Sequence, residues 1–273
     1  GHLEGDSVEQ SQPAGKMSSR KEGRVGTLIF DNPARHNAVS LEMWEQAGGI
    51  LKDFAADDAI RVVVLTGAGG KSFVSGADIS KFESERAGRD AVIRYNTTTE
   101  GVYSTISTFP KPTIAQIQGY CIGGGLNLAV CCDLRFCSTG SKFALPAAKL
   151  GLGYGYAGLK RYIDTIGPAH TKDIFFSARQ VTADEAFSMG LVNRVLPDAE
   201  LAPFVKEYAE AIAANAPLTV SSLKQIAVEV LKPESERDLL RMADLVARCF
   251  ASEDYVEGRR AFLEKRKPVF TGK

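Results

Sequence analysis

The chain has no surplus of charge of either sign: 33 Lys and Arg stand against 33 Asp and Glu in 273 residues. A polyanion binder needs a basic footprint, so nucleic acid is not an expected partner. No apolar run reaches the roughly 18 residues that a helical membrane span requires, so no membrane partner is expected either. The five cysteines, Cys121, Cys131, Cys132, Cys137 and Cys249, form no CxxC pair, and there are only three histidines to go with them. That spacing suits neither a metal site nor a disulfide framework; the thiols read as small buried apolar residues of a reducing compartment, and the expected location is cytoplasmic. No GxxxxGK[ST] phosphate cradle occurs, and GGGLN at 123–127 does not read GxGxxG.

The first 16 residues contain no apolar stretch of the kind a secretory signal needs. Residues 1–20 are expected to be a flexible leader, in part not native, with Met17 a candidate start. From Arg24 the pattern becomes regular. RVGTLIF (24–30) is strand-like, and LEMWEQAGGILKDFAA (41–56) has helical spacing behind Ser40 as N-cap. RVVVLTG (61–67) is a β-branched run of the sort buried on both faces of a sheet. A helical segment over 90–109 is followed by the strand PTIAQIQGY, and the glycines at 123–125 open the next helix. Strands and helices alternate with glycine loops at the strand ends, which predicts an α/β class with a parallel or mixed sheet. Near residue 183 the character changes. Thr182 and Glu185 have capping-box spacing, and helices are predicted over 202–214, 217–231, 234–251 and 253–265. Three regions follow: the leader 1–20, an α/β core over 21–200 and a helical region over 201–273.

Two loops stand out, SGAD at 75–78 and GGG at 123–125. Glycine at a strand-to-helix junction lets another group approach the backbone, and the first amides of a helix point outward unpaired. One N–H from each loop, converging on a point, would form a two-donor oxyanion hole, where losing one donor costs roughly 100- to 1,000-fold in rate. Glycines alone favour the plainer reading of tight turns that pack helix against sheet.

The constellation FVSGADI, then IAQIQGYCIGGGLNLAVCCDLRF, then KFALPAAKLGLGYGYAGLKRYIDTIG, closing with AFLEKRKPVF, resembles the enoyl-CoA hydratase/isomerase (crotonase) superfamily from about Arg24 to the C-terminus. The resemblance implies a ββα spiral followed by a helical trimerisation region, an assembly of a trimer or dimer of trimers, and acyl-CoA thioester substrates. It implies no cofactor beyond the coenzyme A of the substrate, and no metal. The matching oxyanion amides are those of Ala77, just after Gly76, and Gly124. Side chains at the glycines would then block a thioester oxygen from reaching the amides. Candidate coenzyme A contacts, by the same resemblance, are Arg35 and His36 in the 33–37 loop, Asp78 and Lys81 after the first glycine loop, and Phe262 and Lys265 near the C-terminus. The plain alternative for Arg35, Lys81 and Lys265 is a solvated surface charge, and for Asp78 a turn-fixing hydrogen bond.

The same comparison exposes a departure. Hydratases of this family carry two glutamates, and the matching positions here are Asn127 and Ala147. An amide has no pKa near 7 and a methyl group moves no proton. The loop 153–156, where other family members carry an aspartate, reads GYGY. Ordinary hydratase activity is therefore expected to be weak. Decarboxylation of a malonyl-type CoA needs no base, and methylmalonyl-CoA decarboxylase of this family carries a tyrosine where Tyr154 falls, with Tyr156 beside it. Tyr154 is read either as a proton donor or carboxylate-orienting group, or as an aromatic lining an acyl pocket. A lyase acting on acyl-CoA, in fatty acid metabolism, leads. The alternatives are a nominal enoyl-CoA hydratase with atypical residues and a non-catalytic acyl-CoA-binding subunit. Asp133 and Arg135 are expected to be buried structural residues at a sheet edge, and His170 an ordinary helix residue.

Overall fold

A computed structural model describes residues 14–77 and 88–273. In chain order its strands are β1 (Lys16–Glu22), β2 (Val25–Asp31), β3 (Val62–Gly67), β4 (Ser72–Val74), β5 (Thr113–Ile117), β6 (Tyr120–Ile122), β7 (Leu134–Ser138), β8 (Lys142–Ala144), β9 (Val181–Thr182) and β10 (Arg194–Leu196). The described helices are α1 (Leu41–Ala56), α2 (Arg89–Ser107), α3 (Gly124–Cys131), α4 (Ala147–Leu150), α5 (Tyr156–Ser177), α6 (Ala183–Met189), α7 (Asp198–Ala213), α8 (Pro217–Val230), α9 (Leu239–Phe250) and α10 (Glu253–Glu264).

The run Val62–Leu65 shows how the core is built. Val63 and Leu65 face one core, against α1, α2 and α3, while Val62 and Val64 face a second one, formed with Leu201, Val205, Ala209 and Ala213 of α7. A strand buried on both faces has no polar alternation, which is why the sequence reads as continuous β-branched residues. Strand pairs repeat along the chain. In the pairs β3–β4, β5–β6 and β7–β8 the first strand joins a six-stranded sheet in the order β1-β2-β3-β5-β7-β10, and the second joins a four-stranded sheet in the order β4-β6-β8-β9. Helices follow the pairs β3–β4, β5–β6 and β7–β8, so the chain winds as the expected ββα spiral. Pairing is parallel except for β1 with β2 and β8 with β9.

Local signals place the helix ends. The Ser40 hydroxyl accepts the Met43 N–H at 3.2 Å, and Thr182 and Glu185 form the reciprocal capping box. Three expectations are corrected. Lys16–Arg20, assigned to the leader, belong to β1, which runs from Lys16 opposite Asp31 to Glu22 opposite Val25. This edge strand buries only Met17, so KMSSRKE carries no alternation to read. The helix expected from residue 234 begins at Leu239. Pro233 is followed by a single 3-10 turn, Glu234–Glu236, and Asp238 caps the helix by accepting the Arg241 N–H. Asp133 and Arg135 do not lie at a sheet edge, because β7 is flanked by β5 and β10. Arg135 is buried, and its guanidinium donates to the carbonyls of Leu191, Cys132 and Ala129 at 2.6, 2.8 and 3.2 Å. Asp133 is only partly covered and pairs with Lys224 at 2.8 Å.

Four of the five cysteines are buried and all are free. Burial pushes the Cys132 and Cys137 thiols up to about 12, which keeps them protonated and unreactive at neutral pH. His170 lies within α5, past the bend at Gly167 and Pro168. Among the described residues no helix is long and apolar enough to cross a membrane, and no cluster of His, Cys, Asp or Glu could hold a metal ion.

Candidate active site

Three neighbouring parallel strands, β4, β6 and β8, end on the same side of the smaller sheet. The segments that leave them carry Gly76 and Ala77, then Gly123 to Asn127, then Pro146 and Ala147. The carboxyl ends of adjacent parallel strands are where α/β folds hold ligands. The chain topology thus brings four of the expected positions, Gly76, Ala77, Gly124 and Asn127, together, with Ala147 alongside.

The first two segments touch. A Cβ built on Gly124 would stand 3.3 Å from the Gly76 Cα, and one built on Gly76 would stand 3.6 Å from the Gly124 nitrogen. Gly124 is the first residue of α3, so its N–H points out of the helix end. Gly76 has φ 111, a conformation open to glycine, and its carbonyl accepts the Val39 N–H at 2.7 Å. That bond and a parallel bridge from Val39 to Ala77 tie the loop to the segment before α1.

The three glycines differ in purpose. Gly123 sits at φ 55 and ψ −118, which side chains avoid. Gly124 meets Gly76 and lies close under the Tyr103 hydroxyl, 3.4 Å from where its Cβ would be. Gly125 has no room at all: a Cβ there would fall 1.9 Å from the Val74 carbonyl oxygen. The expectation that all three simply clear a path for a substrate oxygen is corrected at Gly125, whose reason is the close packing of α3 on β4.

Behind the glycines lies a cluster of neutral polar groups. The Asn127 Nδ2 donates to the Tyr154 hydroxyl at 3.0 Å, and Tyr154 Oη also reaches Asn127 Oδ1 at 3.2 Å. Tyr162 donates to the same Oδ1. Tyr103 donates to the Gly124 carbonyl at 3.1 Å, so its phenol braces the first turn of α3. The ring of Phe175 packs edge-on against both Tyr154 and Tyr162, at 4.7 and 5.2 Å between centroids. Burial raises the pKa of Tyr154, with the Asn127 hydrogen bond pulling the other way, and raises those of Tyr103 and Tyr162 well above the ordinary value. All three are proton donors, not phenolates, at neutral pH. No described carboxylate hydrogen-bonds to this cluster. Glu100, at its outer flank, is engaged at 2.9 Å by Arg161, whose guanidinium lies 5.9 Å from the centre of the Tyr103 ring.

The remaining candidates lie apart or outside. Ala147 is buried at the start of α4, after Pro146, whose Cδ would be 3.8 Å from a Cβ on Gly123. Tyr156, at the first turn of α5, is 79% exposed and takes no part in the phenol cluster. Arg35 ends a 3-10 turn, Pro33–Arg35, and its carbonyl accepts the Ser75 hydroxyl at 3.3 Å, which links that loop to the first glycine segment. His36 is left-handed at φ 52, exposed, and its Nδ1 meets the Ser72 hydroxyl at 2.8 Å. Asn37 clasps the loop by donating to the Ser72 and Ala68 carbonyls at 2.8 and 2.9 Å. Phe262 is 84% exposed on α10, and Lys265 caps that helix at φ 57. Asp78 and Lys81 lie outside the described residues.

Comparison with known proteins fits this geometry. Residues 20–273 match the sequence model of the enoyl-CoA hydratase/isomerase family. The chain belongs to that family. A crotonyl-CoA hydratase of Syntrophomonas wolfei subsp. wolfei is 35% identical over 93% of this chain and 96% of its own length. A carnitinyl-CoA dehydratase of Proteus mirabilis is 35% identical over 92% of this chain and 96% of its own. Among solved structures, one described as an enoyl-CoA hydratase/carnithine racemase from Magnetospirillum magneticum matches with a TM-score of 0.88 and 37% identity, covering 94% of this chain and 96% of that one. The crotonase-like fold, enzymatic family membership and an acyl-CoA substrate class are thereby shared with the relatives.

Sequence reasoning missed Tyr103 and Tyr162. Each sits on an amphipathic helix, where a single aromatic reads as one more residue of the buried face. The one signal is that a buried tyrosine needs a partner for its hydroxyl, and that partner comes from another helix.

Packing around the two glycines gives opposite expected signs for two alanine substitutions. Gly125→Ala should destabilise the fold by about 1–3 kcal/mol or more, by overpacking against Val74. Gly49→Ala, mid-helix in α1 with nothing within 4 Å of a new Cβ, should stabilise it by about 0.5–1 kcal/mol. Urea unfolding of the two variants checks both values.

Proposed function

We propose that this family member decarboxylates a malonyl-type acyl-CoA through a thioester enolate. The observation that carries the reading is that neutral Asn127, bonded to the Tyr154 phenol, stands where a carboxylate would be needed to take a proton. With Ala147 at the second position, no described side chain there can act as a base. Loss of CO2 removes that need. The Cα–carboxylate bond breaks, its electron pair passes into the thioester, and the oxygen becomes an enolate held by the N–H groups of Ala77 and Gly124. Tyr154 then gives its proton to Cα, and water restores the phenol, so one substrate and one proton yield acyl-CoA and CO2. The loop of Arg35 and His36, joined to Ser75, is the proposed seat of the nucleotide end of coenzyme A, together with Asp78 and Lys81. Phe262 and Lys265 are proposed to close over it.

Hydration is the second reading, favoured by the named activities of relatives at 35% identity. The two readings separate in one assay series. Malonyl-CoA and methylmalonyl-CoA should release CO2, crotonyl-CoA should be hydrated far more slowly, and Tyr154→Phe should lower CO2 release by about 100-fold or more. Crotonyl-CoA hydration outpacing CO2 release would select the second reading; acyl-CoA binding with no turnover would leave a binding subunit.

The pH dependence follows from the acid. Tyr154 works protonated, and burial raises its pKa. Activity should therefore stay level from about pH 5 to 9 and fall only above the ordinary tyrosine value of about 10. A limb near pH 4–5 in kcat would reveal an unrecognised carboxylate.

The C-terminal helices point to an assembly. α9 buries no residue within the chain, and Leu240 on it is 86% exposed. Such an apolar face fits further copies of this chain, as a trimer or dimer of trimers. Sedimentation equilibrium should give three or six times the 29.4 kDa chain mass; a stable monomer would contradict it.

A further inference from the structure

Within the polar cluster, the direction of the Asn127 amide decides what Tyr154 can do. Tyr162 is 1% exposed, and its hydroxyl proton has the Asn127 Oδ1 as its partner. Were the amide turned over, that oxygen would be replaced by an NH2 group, and a buried phenol proton would be left without an acceptor, an arrangement that folded proteins avoid. The amide oxygen therefore faces Tyr162, and Nδ2–H faces Tyr154 at 3.0 Å. In the resting protein the Tyr154 proton can lie toward Oδ1 at 3.2 Å. When it leaves, the oxygen it leaves behind already has an N–H donor in place.

We infer that Tyr162 is a positioning residue, which locks the Asn127 amide so that its N–H supports Tyr154 as the proton donor. This rests on the decarboxylation reading for its consequence, but the hydrogen-bond device is independent of the reaction. The relay needs residues from four elements. Tyr162 comes from α5, Asn127 from α3, and Tyr154 from the segment before α5, while Tyr103 of α2 holds the α3 end at the Gly124 carbonyl. Phe175 packs both rings, so neither phenol is free to swing. Among the described residues, the titratable groups that act on Tyr154 are Tyr103 from α2 and Tyr162 from α5; Cys131 from α3 acts on those two, and the Arg161–Glu100 pair lies at the rim. Cys131 donates to the Asn127 carbonyl at 3.1 Å, and burial raises its pKa.

The test places 3-fluorotyrosine at position 154 and follows its ionisation by 19F NMR, in the wild-type chain and in Tyr162→Phe, which keeps the ring against Phe175. Freed of its lock, the amide can turn over and present its oxygen at the 3.0 Å position with its N–H only at 3.2 Å, so the hold on the Tyr154 oxygen weakens and the fluorophenol pKa should rise by up to about one unit, a tenfold change in ionisation constant. Asn127→Leu, which removes the donor itself, should raise it at least as far. For CO2 release, Tyr162→Phe should lower kcat about tenfold with KM unchanged, and should cost nothing further in the Asn127→Leu background. An unchanged fluorophenol titration in Tyr162→Phe overturns the inference, as does a full Tyr162→Phe loss that persists without Asn127. A chain that releases no CO2 but shows the shifted titration sinks the decarboxylase reading alone and leaves the positioning role standing.

Discussion

The approach of Gly76 to Gly124 is the constraint on which the rest of the site depends. It is produced by backbone, not by side chains. β4 and β6 run parallel and adjacent, and the absence of a Cβ on Gly125 lets α3 settle onto the Val74 carbonyl. A helix displaced by the width of a methyl group would carry the Gly124 amide away from Ala77. The pair is held from the other side as well, since Val39 binds the Gly76 carbonyl and the Asn37 clasp fixes the loop before it. As the proposed enolate donors, the Ala77 and Gly124 amides would need no reorganisation when charge appears on an oxygen between them, the condition under which backbone amides stabilise an enolate most.

Around this pair, the described side chains that hydrogen-bond into the cluster are neutral proton donors, with no carboxylate among them. Tyr103, Tyr154 and Tyr162 are buried enough that ionisation is penalised, and Asn127 cannot ionise at all. Each phenol nevertheless has a partner: a backbone carbonyl for Tyr103 and the one amide for the other two. A satisfied network of neutral groups is cheaper to bury than a carboxylate, which would need several donors to offset its desolvation. Under the proposed decarboxylation, such a cluster suits a step that receives a proton after an electron pair has arrived by another route.

Much of the fold was readable because its signals are local. Ser40, the Thr182–Glu185 box and the doubly buried Val62–Leu65 run each carry their reason within a few residues. β1 was not readable, because an edge strand with one buried residue leaves no period in KMSSRKE. The approach of the two glycine loops was legible in their glycines and the family resemblance, yet the separate task of Gly125 was not, since the Val74 carbonyl that excludes a side chain is 51 residues away along the chain. The tyrosine cluster was half legible. Tyr154 stands in a glycine-rich loop and attracts notice, whereas Tyr103 and Tyr162 lie on amphipathic helices whose convergence only the tertiary fold reveals.

The match between Asn127 and its neighbours also bears on how this chain relates to family members with glutamates. A carboxylate at position 127 accepts hydrogen bonds and donates none. It could take a proton each from Tyr154 and Tyr162, but it would return nothing to the Tyr154 oxygen, and the Tyr103 proton is already committed to the Gly124 carbonyl. Position 147 offers no easier return, because Ala147 is buried after Pro146, close to the turn at Gly123, and a longer acidic side chain would have to be accommodated there. The neutral amide and the phenols therefore form one unit: exchanging a single member for the acid of a relative leaves the others mismatched to it. On the proposed reading, the scaffold that would hold a thioester oxygen is kept, while the groups that would handle hydrogen are changed together.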